Sequence, residues 1–179
     1  MKKVLGIQSS PNLDGQTSKL TQTVLEGAEE AGAQIELVHL HKLNISACRV
    51  CDQGWGLCKT EGKCVIDDDF QDLRDKMYSA EAIVFNTPVY FGSISETARY
   101  FLDRLRRCEI GNKEKSQLPD KPAIVMASAR SGGSVKAAQE LEGYFRYLKI
   151  RIIDCIPATM RNSGYKMNMM KEAGKSLIL

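Results

Sequence analysis

Residues 4–18 have the sequence VLGIQSSPNLDGQTS, and this stretch decides the fold class of the chain. Its first four residues are apolar and predict a buried β-strand, because strands covered on both faces carry near-continuous apolar runs. Turn-forming residues follow, and a helix is predicted from about Gln16, since Leu20, Val24 and Ala28 recur at helical spacing. A buried strand joined to an amphipathic helix by a polar loop is the repeating unit of a parallel α/β sheet.

The same unit recurs along the rest of the chain. Four further strands are predicted from apolar runs at residues 35–40, 82–85, 123–127 and 150–156. Helices with one apolar face separate them, and Ser93 with Glu96 has the spacing of a capping box for one of these helices. Right-handed crossovers then predict an α/β fold with a doubly wound, five-stranded parallel sheet and helices on both faces. No linker or internal repeat is visible in the sequence, so we predict a single domain over residues 1–179.

The composition argues against several classes of protein. A net charge of +3 with 26% charged residues is ordinary for a globular domain and too mild to predict a nucleic-acid surface. No apolar run is long enough for a membrane span, and no apolar stretch with a cleavage site predicts a signal peptide. We therefore expect a cytoplasmic protein that binds neither nucleic acid nor membrane.

Polar loops follow the first, third and fourth predicted strands, where ligands bind in doubly wound sheets. The first loop enters a helix N-terminus, whose free N–H groups favour a phosphate. It lacks the lysine of a P-loop and the glycine pattern of dinucleotide-binding loops, and a simple capped turn is the alternative interpretation. The donors predicted for the phosphate are Ser10, Asn12, Gln16, Thr17 and Ser18.

The other two loops have the character of a site for a flat ring. Tyr90 and Phe91 are adjacent aromatic residues on a loop, where exposure is costly unless they meet a flat apolar partner. Arg130 offers positive charge to an electron-rich ring or to a phosphate. Aromatic packing at the sheet edge and a solvated arginine are the alternatives. The candidate residues are Pro88, Val89, Tyr90, Phe91, Gly92, Ser93, Ala129, Arg130, Gly132 and Gly133.

In order and spacing, these loops resemble the NAD(P)H-dependent FMN reductase family of flavodoxin-like proteins. The matching motifs are SSPNxxGQTS from Ser9, PVYFGS from Pro88, FLDR from Phe101 and ARxGG from Ala129. The resemblance implies a flavodoxin-like sheet with strand order 2-1-3-4-5, the FMN phosphate on the first loop and the isoalloxazine ring between the other two. Asn12 stands where many relatives carry arginine, so phosphate binding here would depend more on neutral donors.

A cysteine-rich insert is predicted at residues 46–66. Clustered cysteines suggest metal or redox chemistry in a reducing compartment. The segment resembles that of the iron–sulfur flavoproteins, a branch of the same family in which four cysteines bind a 4Fe–4S cluster, with two residues between the second and third. Here six residues intervene, so we expect FMN without a metal, with a 4Fe–4S cluster as the alternative and zinc as a third option. The candidate ligands are Cys48, Cys51, Cys58 and Cys64.

The resemblance implies that the flavin carries the chemistry, with no catalytic acid or base on the protein. We expect ping-pong hydride transfer from NAD(P)H through FMN to a small acceptor such as free flavin or quinone. If a cluster is present, the alternative is an iron–sulfur flavoprotein that carries electrons and takes them from ferredoxin. His39 and His41 are expected to be structural or solvated, away from the site.

The C-terminal tail, residues 157–179, is predicted to contribute to assembly. It contains four methionines and is too apolar to be left free in solvent. We expect a homodimer or homotetramer in which this tail and the cysteine insert help to close each flavin site. Folding of the tail over its own sheet is the alternative.

Overall fold

The computed structural model describes residues 1–112 and 114–178. The sheet has five parallel strands in the order β2-β1-β3-β4-β5, which confirms the predicted fold class. The strands are β1 (Lys3–Gln8), β2 (Gln34–His39), β3 (Ala82–Pro88), β4 (Pro122–Ala129) and β5 (Arg151–Thr159).

Helices cover both faces of the sheet. Along β3, Ala82 and Val84 face α1 and α6, whereas Ile83 and Phe85 face α3, α4 and α5, as expected for a buried strand whose side chains alternate. None of the described helices is both long and apolar enough to cross a membrane. The helices are α1 (Gln16–Glu30), α2 (Leu57–Thr60), α3 (Phe70–Ser79), α4 (Glu96–Gly111), α5 (Ser134–Tyr147) and α6 (Ser163–Ser176).

Four strands, β1, β3, β4 and β5, run further at their carboxyl ends than their apolar runs predict. The extra residues of β3 include the polar Asn86 and Thr87, and Ser128 lies near the end of β4. All three are buried and hydrogen-bonded: Asn86 to α1, Thr87 to the N-cap residue of α4, and Ser128 to Asn86. The strands therefore end at the polar residues that build the site.

The predicted capping box is wrong in its first residue. The N-cap of α4 is Ser95, whose hydroxyl accepts a hydrogen bond from the Ala98 N–H at 3.3 Å. Ser93 is not available as a cap, because its hydroxyl contacts Glu140 and Arg99.

The C-terminal tail forms α6 and packs against α1 of its own chain. Gly27 and Gly174 allow the close approach, since a Cβ on either would overlap a backbone carbonyl of the other helix. Met170 is fully buried in this contact, whereas Met160, Met167 and Met169 remain exposed. The tail therefore packs on its own domain, and its expected contribution to a homodimer or homotetramer stays a prediction.

Candidate functional site

Three loops meet at the carboxyl ends of the central strands β1, β3 and β4. Gln8 at the end of β1 is level with Asn86 of β3, and the Ser9 N–H donates to the Asn86 carbonyl at 3.1 Å. The Val89 N–H donates to the Ser128 carbonyl at 3.0 Å. The loops singled out from the sequence therefore surround one region of the sheet edge, as parallel topology requires.

The loop between β1 and α1 is ordered by its own polar side chains. The Asn12 N–H donates to the Ser10 hydroxyl at 3.2 Å, and the Asp14 N–H donates to the Asn12 side-chain carbonyl at 3.1 Å. A Cβ on Gly15 would stand 3.1 Å from the Asn12 amide group, so the loop is tightly closed. Of the predicted phosphate donors, Ser10 and Asn12 thus also shape the loop.

The N-terminus of α1 has the features of an anion site. Its N-cap, Gly15, provides no side-chain cap, and the first N–H bonded back into the helix is that of Lys19, which donates to the Gly15 carbonyl. Thr17 and Ser18 are almost fully buried in this first turn. The Gln16 side-chain nitrogen is buried without a hydrogen-bond partner. Uncapped N–H groups and an unsatisfied buried donor fit the oxygens of a phosphate.

Asn86 braces this helix terminus and was not recognised as such from the sequence. Its side-chain nitrogen donates to the Thr17 carbonyl at 3.0 Å, and its side-chain oxygen accepts from the Ser128 hydroxyl at 3.1 Å. A buried amide between two central strands must be satisfied on both sides, so it fixes α1 relative to β4. A polar residue directly after an apolar run is the sequence signal by which it could have been found.

A second buried network, also missed, joins the first loop to α4. The Ser95 hydroxyl donates to the Ser9 hydroxyl at 2.8 Å, and the Ser95 N–H donates to the Thr87 hydroxyl at 3.0 Å. The Thr97 hydroxyl donates to the Ser9 carbonyl at 3.2 Å. Together with the bond from its N–H to Asn86, Ser9 is thereby held from both β3 and α4, so this part of the loop is fixed in place.

The loop after β3 forms a two-residue turn. Tyr90 and Ser93 exchange both backbone hydrogen bonds, at 3.1 and 3.0 Å, around Phe91 and Gly92. Both central residues have positive φ, 50° for Phe91 and 73° for Gly92, as in a type I′ turn. Phe91 is fully exposed and Tyr90 is 39% exposed. Phe91 therefore projects from the loop, whereas Tyr90 is more than half buried.

Ser93, a predicted flavin-site residue, also has a structural role. Its hydroxyl donates to a Glu140 carboxylate oxygen at 2.7 Å and accepts from Arg99 at 2.7 Å. Burial would raise the pKa of Glu140, but bonds from Ser93, Ile94 and Arg99 outweigh it and lower that pKa. The network ties the turn to α4 and α5.

The loop after β4 lies directly against this turn. Gly133 has a φ of 82°, and a Cβ there would stand 3.0 Å from the Gly92 Cα and 3.2 Å from Val89 Cγ1. Arg130 and Gly132 are exposed, with open space around Gly132. The structure therefore brings the predicted ring-binding loops into contact at Gly133.

The four clustered cysteines line one pocket, which we call the cysteine pocket. Cys108 of α4 and the side chains of Arg104 and Arg107 line it as well. Its volume is about 20 Å³, enough for one ordered water. Within residues 1–112 and 114–178 no three His, Cys, Asp or Glu side chains have the geometry to hold a metal ion. The predicted ligands are Cys48, Cys51, Cys58 and Cys64.

Arg104 supplies positive charge to the cysteine pocket. It is 1% exposed, and its Nε is a buried donor without a partner. Burial opposes its charge, but Asp68 and the Cys64 sulfur raise the pKa of Arg104, so the guanidinium stays charged. Thiols beside an unpaired, positively charged N–H are the kinds of group that surround an anionic iron–sulfur cluster. As folded, and within the part of the chain that the structure describes, the thiols of this pocket do not have the geometry of a metal site.

His39 lies closer to the site than expected. Its ring Nδ1 is 2.6 Å from the Gln8 side-chain nitrogen, and Gln8 in turn contacts Ser10. His41 is exposed, in agreement with the expectation for that residue.

The comparison with known families decides the assignment. Residues 2–162 match the model of the family described as NADPH-dependent FMN reductase. The chain belongs to the NADPH-dependent FMN reductase family.

Two related proteins are iron–sulfur flavoproteins. The iron–sulfur flavoprotein MJ1083 of Methanocaldococcus jannaschii is 32% identical over 143 residues, which are 80% of this chain and 71% of that protein. An iron–sulfur flavoprotein of Archaeoglobus fulgidus is 33% identical over 142 residues, 79% of this chain and 67% of that protein.

Solved structures confirm the flavodoxin-like fold of this family member. A flavone reductase superposes with a TM-score of 0.74 at 22% identity, over 98% of this chain and 62% of that one. RosB superposes with a TM-score of 0.77 at 15% identity, over 99% and 76% of the two chains. A flavodoxin from the domain Archaea has a TM-score of 0.67 at 13% identity, over 98% and 96%. At these identities the likeness concerns the fold alone. Family and fold together make the chain an FMN-binding flavoprotein of the oxidoreductase type.

Proposed function

We propose that this family member transfers electrons from NAD(P)H through bound FMN to a small acceptor such as free flavin or a quinone. The observation that carries the proposal is the uncapped N-terminus of α1, where the buried Gln16 amide has no partner. Bound FMN would supply the hydride and electron chemistry. The protein would bind, orient and shield it.

The phosphate would lie on the first turn of α1. The free N–H groups of Gln16, Thr17 and Ser18 and their side chains are the donors there, and no lysine or arginine is needed. Ser10 and Asn12 keep the loop in the conformation that exposes these donors. This arrangement favours FMN over riboflavin, because only FMN brings the phosphate.

The ring would lie between the turn after β3 and the loop after β4. Tyr90 and Phe91 offer aromatic surface, and burial together with the Glu96 charge raises the pKa of Tyr90, so its hydroxyl stays neutral at pH 7. Arg130, exposed beside the ring position, is placed to attract either the pyrimidine edge or a pyridine-nucleotide phosphate. The proposal needs no acid or base on the protein for hydride transfer.

The experiment has two parts. Apoprotein is titrated with FMN and with riboflavin, and FMN is expected to bind tighter by about tenfold or more, from charge-assisted hydrogen bonds to the phosphate. FMN-loaded protein is then mixed with NADH or NADPH without oxygen, and bleaching of the flavin followed by reoxidation with quinone is expected. Equal affinity for the two flavins would contradict the phosphate site. A flavin that neither pyridine nucleotide reduces would contradict the reaction.

A second candidate is an iron–sulfur flavoprotein that carries electrons, with ferredoxin as a source. Two observations favour it: the curated relatives bear that name, and four cysteines line one pocket with the unpartnered Arg104 Nε. The backbone between Cys48 and Cys58 is strained, since Val50, Asp52 and Gln53 have φ of 51°, 46° and 58°. A rearrangement of this segment would be required to admit a cluster.

The two candidates are separated by iron and sulfide analysis of protein purified without oxygen. We expect a double variant, Cys51→Ser with Cys58→Ser, to keep NAD(P)H oxidation and an unaltered flavin spectrum. Cys155→Ser is the matched control, since Cys155 is on β5 outside the cysteine pocket. Stoichiometric iron in the wild type, lost together with activity in the double variant only, would establish the electron carrier instead.

A further inference from the structure

Gln8 connects the phosphate loop to the neighbouring strand. It is fully buried at the end of β1. Its side-chain oxygen accepts from the Ser10 N–H at 2.8 Å, and its nitrogen donates to the Ser10 carbonyl at 3.2 Å. The same nitrogen is 2.6 Å from Nδ1 of His39, the residue level with Gln8 on β2. One amide therefore satisfies both backbone groups of Ser10 and contacts a titratable ring.

These contacts fix the protonation state of His39. The Gln8 oxygen is taken by a donor, the Ser10 N–H, so its nitrogen faces His39 and donates. Nδ1 of His39 must then accept, which requires the neutral ring with its proton on Nε2. Protonation at Nδ1 would set two donors against each other. Rotation of the Gln8 amide would relieve that conflict only by turning its nitrogen toward the Ser10 N–H.

We propose that Gln8 and neutral His39 are positioning residues that hold Ser10, and with it the phosphate loop, in the conformation that binds FMN. The inference rests on the proposed function for the identity of the ligand. It adds a consequence that the family assignment does not contain: the affinity for FMN falls when His39 gains a proton.

The surroundings of His39 favour the neutral ring at pH 7. Burial lowers its pKa, and the charge of Lys42, on the turn that follows β2, lowers it further. Among the described residues, Lys42 is the charged group that acts on the ring, and no carboxylate offsets it. Protonation of His39 therefore requires a pH below the ordinary pKa of 6.5.

The test compares FMN affinity of the full chain between about pH 7.5 and about pH 5 in the wild type, in His39→Gln and in His41→Gln. Glutamine at 39 can accept a hydrogen bond but does not titrate. His41 is exposed and serves as the matched histidine control. The FMN phosphate itself gains a proton at about pH 6 whichever protein is titrated, so only the difference in pH dependence between the three proteins reports on His39.

We expect the Kd of the wild type and of His41→Gln to rise about two- to tenfold more than that of His39→Gln, as for one lost hydrogen bond. Parallel profiles for the wild type and His39→Gln would overturn the proposal.

A second measurement needs no flavin. In the apoprotein, the NMR shift of the Ser10 amide is expected to titrate together with the His39 ring and to be flat in His39→Gln. A Ser10 amide shift that stays constant while His39 titrates would overturn the inference even if FMN binds. A coupled titration in a protein that does not bind FMN would refute the proposed function and leave the coupling of His39 to the loop established.

Discussion

Asp68 and Arg104 form a bidentate ion pair that is almost completely buried. The two hydrogen bonds measure 2.7 and 2.8 Å, and the side chains are 3% and 1% exposed. The same guanidinium donates to the Ser46 carbonyl at 3.1 Å and approaches the Ile66 carbonyl at 3.5 Å. One arginine of α4 therefore holds both ends of the cysteine insert, residues 46–66.

Asp68→Asn is expected to lower the free energy of unfolding by about 3–5 kcal/mol, because it leaves the buried Arg104 charge without its partner. Urea unfolding followed by circular dichroism measures the change. The matched control is Asp67→Asn, an exposed neighbour whose replacement should stay within about 0.5 kcal/mol. Equal stability of the two variants would show that the ion pair does not anchor the insert.

The same ion pair predicts how the free energy of unfolding depends on pH. Burial alone would raise the pKa of Asp68, but hydrogen bonds from Arg104, Ser46 and Phe70 lower it from 3.8 to about 2. Because the folded value is the lower one, this contribution is complete above about pH 3.8 and is lost as the pH falls through about 2. The stability difference between the wild type and Asp68→Asn should therefore shrink over that range. A difference that stays constant down to about pH 2 would contradict the assignment.

Replacement of Thr17 and Ser18 by alanine is expected to weaken FMN binding by about 1–3 kcal/mol, from lost hydrogen bonds to a charged phosphate. Thr23→Ala is the control on the same helix, since the Thr23 hydroxyl donates only to the Lys19 carbonyl. Fluorescence titration with FMN measures the effect. Unchanged affinity in the double variant would move the phosphate away from α1.

Gly133→Ala should disturb the contact between the two ring-binding loops. Alanine at a φ of 82° is strained, and its Cβ would crowd the Gly92 Cα at 3.0 Å. A loss of about 1–2 kcal/mol in unfolding free energy is expected, together with weaker flavin binding. Gly132→Ala, with no protein atom near its Cβ, should leave the unfolding free energy unchanged. Gly92 has a φ of 73° but open space toward the protein, so the strain of Gly92→Val would come from the backbone.

The exposed apolar residues at the start of the tail lead us to expect a homodimer. Met160 and Tyr165 are 64% and 77% exposed, and the Met160 N–H donates to the Ala129 carbonyl beside the ring-binding loop. A second copy bound there would border the site. Met160→Glu with Tyr165→Glu should convert a dimer to a monomer in light scattering, and Tyr147→Glu, exposed at the other end of the sheet, should not. A monomeric wild type that is fully active would refute the dimer.

The sequence by itself determined the elements and their order. Continuous apolar runs such as residues 82–85 and apolar helix faces such as that of α1 are local patterns, and their alternation leaves few topologies. The loops at the carboxyl ends of β1, β3 and β4 could also be located, because parallel strands end at one edge of a sheet. The first helix begins at Gln16, as predicted, since the turn residues before it define that boundary.

Only the tertiary structure decided which polar side chains hold the fold together and which partners they bond. Ser93 has the spacing of a cap yet contacts Glu140, 47 residues away in the chain, while Gln8 and His39, 31 residues apart, share a hydrogen bond. The tail, equally suited in composition to a partner or to its own domain, packs on α1 because glycines at 27 and 174 permit close contact of the two helices. These outcomes depend on partners distant in sequence. A hydrogen bond or a close backbone contact is a property of pairs, and local composition specifies only one member of each pair.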